Sequence, residues 1–283
     1  MKPIDIRYST SPKDFKQYTT KEIRNEFLMS DLYVEDELTC HYSHVDRMVV
    51  LGCMPKDKSI CIEESINVYK AFGTQHFLER REMGVFNIGG EGVIEVDGFS
   101  YTLAYKDCLY ITKGAKKIKF KSTNKQNPAK FYMVSSPAHT TYKTKYLKIK
   151  DAKIQEMGSI ENANNRVIYQ FIHPAVLETC QLSMGLTLLK EGSVWNTMPC
   201  HTHERRMEIY TYFELPKEQV VFHLMGEKTE TRHVVMKNEE AIISPSWSIH
   251  SGCGTSNYSF IWAMAGENQE FEDMDFIETN KIK

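Results

Sequence analysis

The chain has 283 residues, enough to bury a substantial core as one large domain or two small ones. Lys and Arg number 35 against 37 Asp and Glu, a formal charge of −2 that argues against nucleic acid as the main partner. Seven cysteines, an odd number with no Cys-x-x-Cys pair, suit a reducing compartment, with the cytoplasm as the default expectation.

The opening residues, Met1 to Arg7, hold no apolar core of signal-peptide length, so no secretory leader is expected. Two short helices follow. Ser11-Pro12 offers a cap with Pro at the first helical position, and Thr19-x-x-Glu22 can form a capping box before Ile23, Phe27 and Leu28. Both are expected to pack outside the main body. From Leu32 to Leu51 the pattern turns strand-like, with Tyr42 to Arg47 as a polar group on a solvated face.

Between His76 and Pro137 short β-like runs alternate with turns, and Asp97-Gly98 between alternating residues is a strong hairpin signal. Thr144 to Asn165 is polar and charged with scattered apolar residues, and reads as a linker. Strands resume at Arg166 and continue through Tyr258 to Met264. The longest stretch without formal charge, Ala241 to Gly266, is broken by Pro245, glycines and serines, so it reads as buried β-structure and not as a membrane span. The expected organisation is all-β: an N-terminal half over 1–143 with its helical start, a linker over 144–165 and a C-terminal half over 166–283.

An internal repeat supports two related halves. His76-Phe-Leu-Glu-Arg-Arg-Glu-Met83 aligns without gaps to His201-Thr-His-Glu-Arg-Arg-Met-Glu208, an offset of 125 residues (201 − 76). In the second copy His201 and His203 stand two apart, the spacing that puts strand side chains on one face and aims two imidazoles at one point. Glu208 lies five residues beyond His203, an odd step, so the chain must bend or bulge between Glu204 and Met207 to bring its carboxylate to the same side. His250 follows the turn-favouring Ser244-Pro-Ser246. Three imidazoles and a carboxylate suit a borderline divalent ion with positions left open to water or substrate. The first copy has Leu78 for His203 and Met83 for Glu208, so it is expected to be a structural barrel without metal.

The pattern His-x-His-x4-Glu followed by Pro-x4-His, set among short strands, resembles the two metal motifs of the cupin superfamily. It departs at Trp247 and Gly254, where the second motif usually has Gly and Asn. A closer resemblance rests on segments spread over most of the chain. These include Phe77 to Glu82, Asn87-Ile-Gly-Gly90, Pro137 to Tyr142, Leu177 to Gly185, Trp195 to Met207, Ser244 to Gly252 and Gly266-Glu-Asn-Gln269. They look like those of the 5-keto-4-deoxyuronate isomerase family. The resemblance implies a bicupin of two jelly-roll barrels and a zinc ion, one per chain, at positions matching His201, His203, Glu208 and His250. It also implies a hexamer, and a reaction in the breakdown of unsaturated uronates from pectin or glycosaminoglycans.

An aldose–ketose isomerisation needs a group that moves a proton, and the sequence leaves it open among Glu204, His223 and Tyr210. A substrate carboxylate calls for a cation, with Arg205, Arg206 and Arg81 as candidates, and Trp247 could wall the pocket. Two alternatives stand beside the isomerase: an Fe(II) cupin oxygenase on the same four residues, and a non-enzymatic sugar-binding cupin.

Overall fold

The computed structural model describes residues 3–270 and 272–283. The N-terminal caps form as their chemistry dictates. Ser11 Oγ accepts from Asp14 N at the start of Pro12–Phe15, and Thr19 and Glu22 exchange side-chain and backbone hydrogen bonds at the start of Thr20–Phe27. The second helix turns Ile23 and Phe27 inward. Among the described residues no helix is long and apolar enough to cross a membrane.

The chain divides into two compact units. The first holds the residues through Ile6, then Asp31–Lys153 and Phe171–Ser183. Its seven-stranded sheet runs Asp5–Arg7, Leu38–Ser43, Val49–Cys53, Phe131–Pro137, Arg81–Asn87, Cys108–Ile111, Lys145–Leu147. A four-stranded sheet runs Ile60–Cys61, Ile118–Ser122, Gly92–Val96, Phe99–Leu103. The Asp97-Gly98 hairpin is present: Val96 pairs with Phe99, and Asp97 and Gly98 take φ of 47° and 90°, the left-handed pair that a tight hairpin turn of this hand requires.

Val85, Leu109 and Met133 of the larger sheet meet Ile94, Ile118 and Phe120 of the smaller in one apolar core, and Leu78 and Met83 lie fully buried within it. Two of the positions that hold metal-type side chains in the second copy are thus filled with hydrocarbon and thioether in the first. Phe171–Ser183 belongs to this unit because the buried carboxylate of Glu82 accepts hydrogen bonds from the backbone N–H groups of Cys180, Gln181 and Leu182, and from the Tyr110 hydroxyl.

The second unit holds Arg7–Ser30, Ile154–Gln170 and Met184–Lys283. Its sheet order is Lys153–Met157, Arg166–Ile172, Ser183–Leu189, Ser259–Gly266, Arg206–Phe213, Ala241–Ser244, Leu28–Met29. A four-stranded sheet runs Trp195–Asn196, Ile249–Gly254, Val221–Glu227, Glu230–Met236, and His201–Thr202 pairs with Asp275–Phe276.

Two features differ from the sequence expectation. The helical start sides with the second unit, because Leu28 and Met29 pair with Ile242 and Ala241, and Phe15 stacks edge-on to Trp247 with 5.3 Å between ring centroids. The stretch 144–165 is not a bare linker. Lys145–Leu147 adds a strand beside Cys108–Ile111, and Lys153–Met157 begins the second unit's sheet. Both are edge strands, with buried Leu147 the only fully inward side chain of the first, and so few apolar residues do not read as strands in sequence.

Candidate metal centre

The candidate site is assembled from three strands of the second unit. His201 opens the short strand His201–Thr202, Glu208 lies in Arg206–Phe213, and His250 lies in Ile249–Gly254. The break required by the five-residue step falls at Glu204-Arg205, a turn closed by Arg206 N donating to the His203 carbonyl at 3.2 Å. One ligand-type atom from each of His201, His203, Glu208 and His250 lies within 4.8 Å of the others, and all four residues are buried.

Hydrogen bonds orient the rings. The Arg206 carbonyl can only accept, so His203 Nδ1, 2.9 Å away, carries the proton and leaves the Nε2 lone pair facing inward. His250 Nδ1 sits 3.4 Å from Ser244 Oγ, and its Nε2 lies 3.1 Å from His201 Nε2 and 2.9 Å from Glu208 Oε2. His203 Nε2 is 3.2 Å from the same carboxylate oxygen. Burial, and then the neighbouring His250, push the His201 pKa down to about 2, so its imidazole is neutral. Burial opposes ionisation of Glu208, but His250 and His203 outweigh it and hold the carboxyl below the usual range. Three imidazoles and a carboxylate that converge in a buried interior form a donor set that fits a borderline divalent ion.

A cavity of about 130 Å³ opens beside the cluster, with His201, Glu208 and Tyr210 in its lining. Arg166, Thr187, Thr197 and Trp262 complete its inner wall, and Met157 and Phe276 carry it to the surface, where they are 46% and 70% exposed. Gly185 makes room for the indole: a Cβ there would lie 2.2 Å from the Trp262 ring. The Tyr210 hydroxyl shares a 2.8 Å hydrogen bond with Thr197 Oγ1, and its ring stands edge-on to His250.

Of the three proton-transfer candidates, only Tyr210 lines this cavity. Glu204 is exposed on the turn. His223 is fully buried behind it, with Nδ1 2.8 Å from the Tyr212 hydroxyl and its pKa pushed down to about 3 by burial and by His250. None of the expected substrate-binding residues lines the cavity. Arg205 is exposed beside Asp273; Arg206 is buried against Asp273, Asn268 and the Glu270 carbonyl. Arg81 lies in the first unit, bonded to Ser135, and Trp247 donates Nε1–H to the Thr10 carbonyl at the N-terminal helices. Conversely, Arg166, Thr187 and Trp262 carry no local motif, and their shared cavity follows only from strand order, while Thr197 sits in the loop between Trp195–Asn196 and His201–Thr202.

The fold and the cluster together define a cupin-type protein with a buried three-histidine, one-carboxylate centre. In fold it is similar to an IolB-like protein from Salmonella typhimurium LT2, with a TM-score of 0.66 at 12% identity over 83% of this chain and 88% of that one. It is also similar to oxalate decarboxylase from Bacillus subtilis, with a TM-score of 0.53 at 9% identity over 78% and 69%.

The KduI/IolB family pattern matches residues 65–279, and the chain belongs to that family. It is 51% identical over 280 residues, 99% of this chain and 100% of its relative, to the 4-deoxy-L-threo-5-hexosulose-uronate ketol-isomerase of Lachnoclostridium phytofermentans. It is 50% identical over 280 residues, with the same shares, to the enzyme of that name from Yersinia pestis. The protein is thus an enzyme, a ketol-isomerase, and the oxygenase and non-enzymatic alternatives fall away.

Proposed function

We propose that the chain is a zinc-dependent isomerase that converts 5-dehydro-4-deoxy-D-glucuronate, an open-chain keto-aldose with a terminal carboxylate, to 3-deoxy-D-glycero-2,5-hexodiulosonate in uronate catabolism. The observation that carries the reading is the convergence of His201, His203, Glu208 and His250 at the wall of a cavity shared with Tyr210. The relatives' names support the substrate. A hexamer in the cytoplasm is part of the reading and rests on the family resemblance.

In this reading His201, His203, Glu208 and His250 hold the ion, and the hydrogen bond from His203 Nδ1 to the Arg206 carbonyl fixes one ring in place. A divalent ion bound there supplies Lewis-acid stabilisation of the negative charge that develops on the carbonyl and neighbouring hydroxyl oxygens. A proton leaves C2, the carbonyl oxygen at C1 gains one, and the resulting enediol collapses to the ketone as C1 takes up a proton and the C2 hydroxyl gives its own up. Tyr210 is the hydroxyl of the cavity wall that can donate to a substrate oxygen during this exchange, with Thr197 as its hydrogen-bond partner. Buried Phe260, Trp262 and Met264 keep bulk water off the reacting carbons.

The test is proton NMR of the purified protein with 5-dehydro-4-deoxy-D-glucuronate, combined with elemental analysis. Conversion to the 2,5-diketo acid with one zinc per chain is expected. Absence of turnover by the zinc-loaded protein would overturn the substrate, and full activity with no bound metal would overturn the role of the cluster.

A further inference from the structure

Among the described residues, the lining of the cavity that contains His201 and Glu208 has one cationic side chain, Arg166. It begins the strand Arg166–Ile172 and is half-buried. Nη1 donates to the Asn164 carbonyl at 2.8 Å, and Asn164 is itself held, with Nδ2 donating to the Met198 carbonyl and Oδ1 accepting from Ser159 N. The head group is therefore anchored on one edge while, among the described residues, its Nε and Nη2 donors have no partner. Its charge is felt at the Tyr210 hydroxyl, which faces the same cavity.

Arg205 and Arg206 both lie beside Asp273, but among the described residues Arg166 has no carboxylate within ion-pair distance. It shares the cavity wall with apolar Ile168, Phe260, Trp262 and Met264 and with the hydroxyls of Thr187, Thr197 and Tyr210. A cation set into apolar surroundings without a counter-ion carries a desolvation cost that an arriving anion removes, and a guanidinium with two free donors matches a carboxylate in two-pronged geometry.

We propose that Arg166 binds the substrate's carboxylate and so sets the preference of this site for uronates over neutral sugars, a specificity role resting on the isomerase reading above. The polar chain is then held at both ends: its carboxylate at Arg166 and its reacting carbons at the cluster and Tyr210.

The test compares wild type, Arg166→Gln and Arg166→Lys, all metal-loaded and full-length. The two substrates are 5-dehydro-4-deoxy-D-glucuronate and the analogue with a primary alcohol in place of the carboxylate. Losing a charge-assisted pair should raise KM for the uronate about 10- to 100-fold in Arg166→Gln. Its kcat should change far less, KM for the alcohol should stay as in wild type, and metal content should be unaltered. Arg166→Lys should recover part of the loss. Equal effects on both substrates, or an unchanged KM for the uronate, would overturn the proposal.

Calorimetry with D-gluconate and sorbitol gives a readout independent of turnover. Wild type should bind gluconate in preference to sorbitol, and Arg166→Gln should lose that preference; a preference that survives the substitution sinks the inference. If wild type fails to isomerise the uronate but shows the Arg166-dependent gluconate preference, the substrate assignment fails while the carboxylate site stands. If Arg166→Gln does not fold, the same comparisons are made with Arg166→Lys.

Discussion

Arg206 stands 125 residues after Arg81 (206 − 81), and the two occupy the same place in their units: each is a buried arginine that opens a strand, Arg81–Asn87 and Arg206–Phe213. Arg81 donates Nε–H to Ser135 Oγ and Nη2–H to the Ser135 carbonyl. Arg206 donates Nη1–H to Asn268 Oδ1 and the Glu270 carbonyl, and forms a 2.7 Å ion pair with Asp273. In each unit the guanidinium ties a central strand to neighbouring backbone. The duplicated Glu-Arg-Arg segment therefore preserves a brace, while the residues around it diverge: Val85, Met83 and Leu78 in one copy, Tyr210, Glu208 and His203 in the other.

From this brace it follows that Arg206→Ala should lower stability and not substrate affinity. The variant leaves Asp273, whose side chain is 10% exposed, with only the exposed Arg205 at 3.5 Å, and breaking a buried pair typically costs about 3–5 kcal/mol, an upper bound here because Arg205 stays. Thermal melts should show the loss, and Asp273→Asn added to it should cost less than the sum of the two single changes. A stable Arg206→Ala protein with a raised KM would reverse the assignment.

The parts of this molecule readable in advance are those whose physics is local. Thr19 and Glu22 satisfy each other's backbone within one turn, Asp97-Gly98 closes a two-residue hairpin, and His201, His203 and Glu208 lie within eight residues of one another, so their convergence needs one bend. The cavity around them was not readable. Arg166, Thr187 and Trp262 come from three neighbouring strands, the third of which is far from the other two in the chain, and Phe276 reaches His201 through a two-residue pairing. Trp247 shows the converse. It stands three residues before His250 yet turns to the N-terminal helices, because the turn after Pro245, closed by Ser248 N on the Pro245 carbonyl, separates the two. Nearness in sequence to a motif is a weak guide to nearness in the site.

Leu78 tests the divergence of the two copies. It is fully buried in the first unit's core at the position that His203 holds in the second. Leu78→Ala should cost about 2–5 kcal/mol of stability, measured by denaturant unfolding, and leave the metal content unchanged. Loss of metal from a folded Leu78→Ala protein would mean that the first unit contributes to the centre.

Elemental analysis addresses the centre directly. With four side chains converging and open positions reserved for substrate, no donor is redundant, so His201→Ala, His203→Ala, Glu208→Ala and His250→Ala should each lose most of the metal and the activity. Wild type should hold one ion per chain. Glu208→Ala retaining full metal and turnover would remove that residue from the set.

Thiol reactivity should follow burial. The Cys40 thiol is pushed up to about 12 by burial, and burial likewise drives Cys53 and Cys108 well above the ordinary value. The thiolate is the nucleophile, so all three stay protonated and inert through pH 9, while Cys180 and Cys253 are partly exposed and open to reagent. Mass spectrometry after iodoacetamide treatment of native protein at pH 8.5 should find label on the latter pair first. Rapid labelling of Cys53 or Cys108 would show that the first unit opens readily.

Tyr210 separates chemistry from packing with the removal of one atom. Its ring packs against Phe260 and stands edge-on to His250, with centroids 4.8 and 5.5 Å away, and Phe at this position keeps both contacts. What Tyr210→Phe loses is the hydroxyl that shares a hydrogen bond with Thr197. The equivalent residue 125 positions earlier is Val85, packed in the first unit's apolar core, so the hydroxyl belongs to the site and not to the duplicated scaffold. If that hydroxyl donates to the substrate in the enediol step, Tyr210→Phe should lower kcat by about 100-fold, within the usual range for a positioned proton donor, with the metal retained and KM little changed. In heavy water the wild-type product should carry deuterium at C1, because the proton returning there exchanges with solvent. A Tyr210→Phe enzyme as fast as wild type would leave Tyr210 as cavity wall alone, and complete retention of the substrate hydrogen at C1 would point to a hydride shift between C2 and C1 or to a base shielded from solvent, in place of an enediol that exchanges with water.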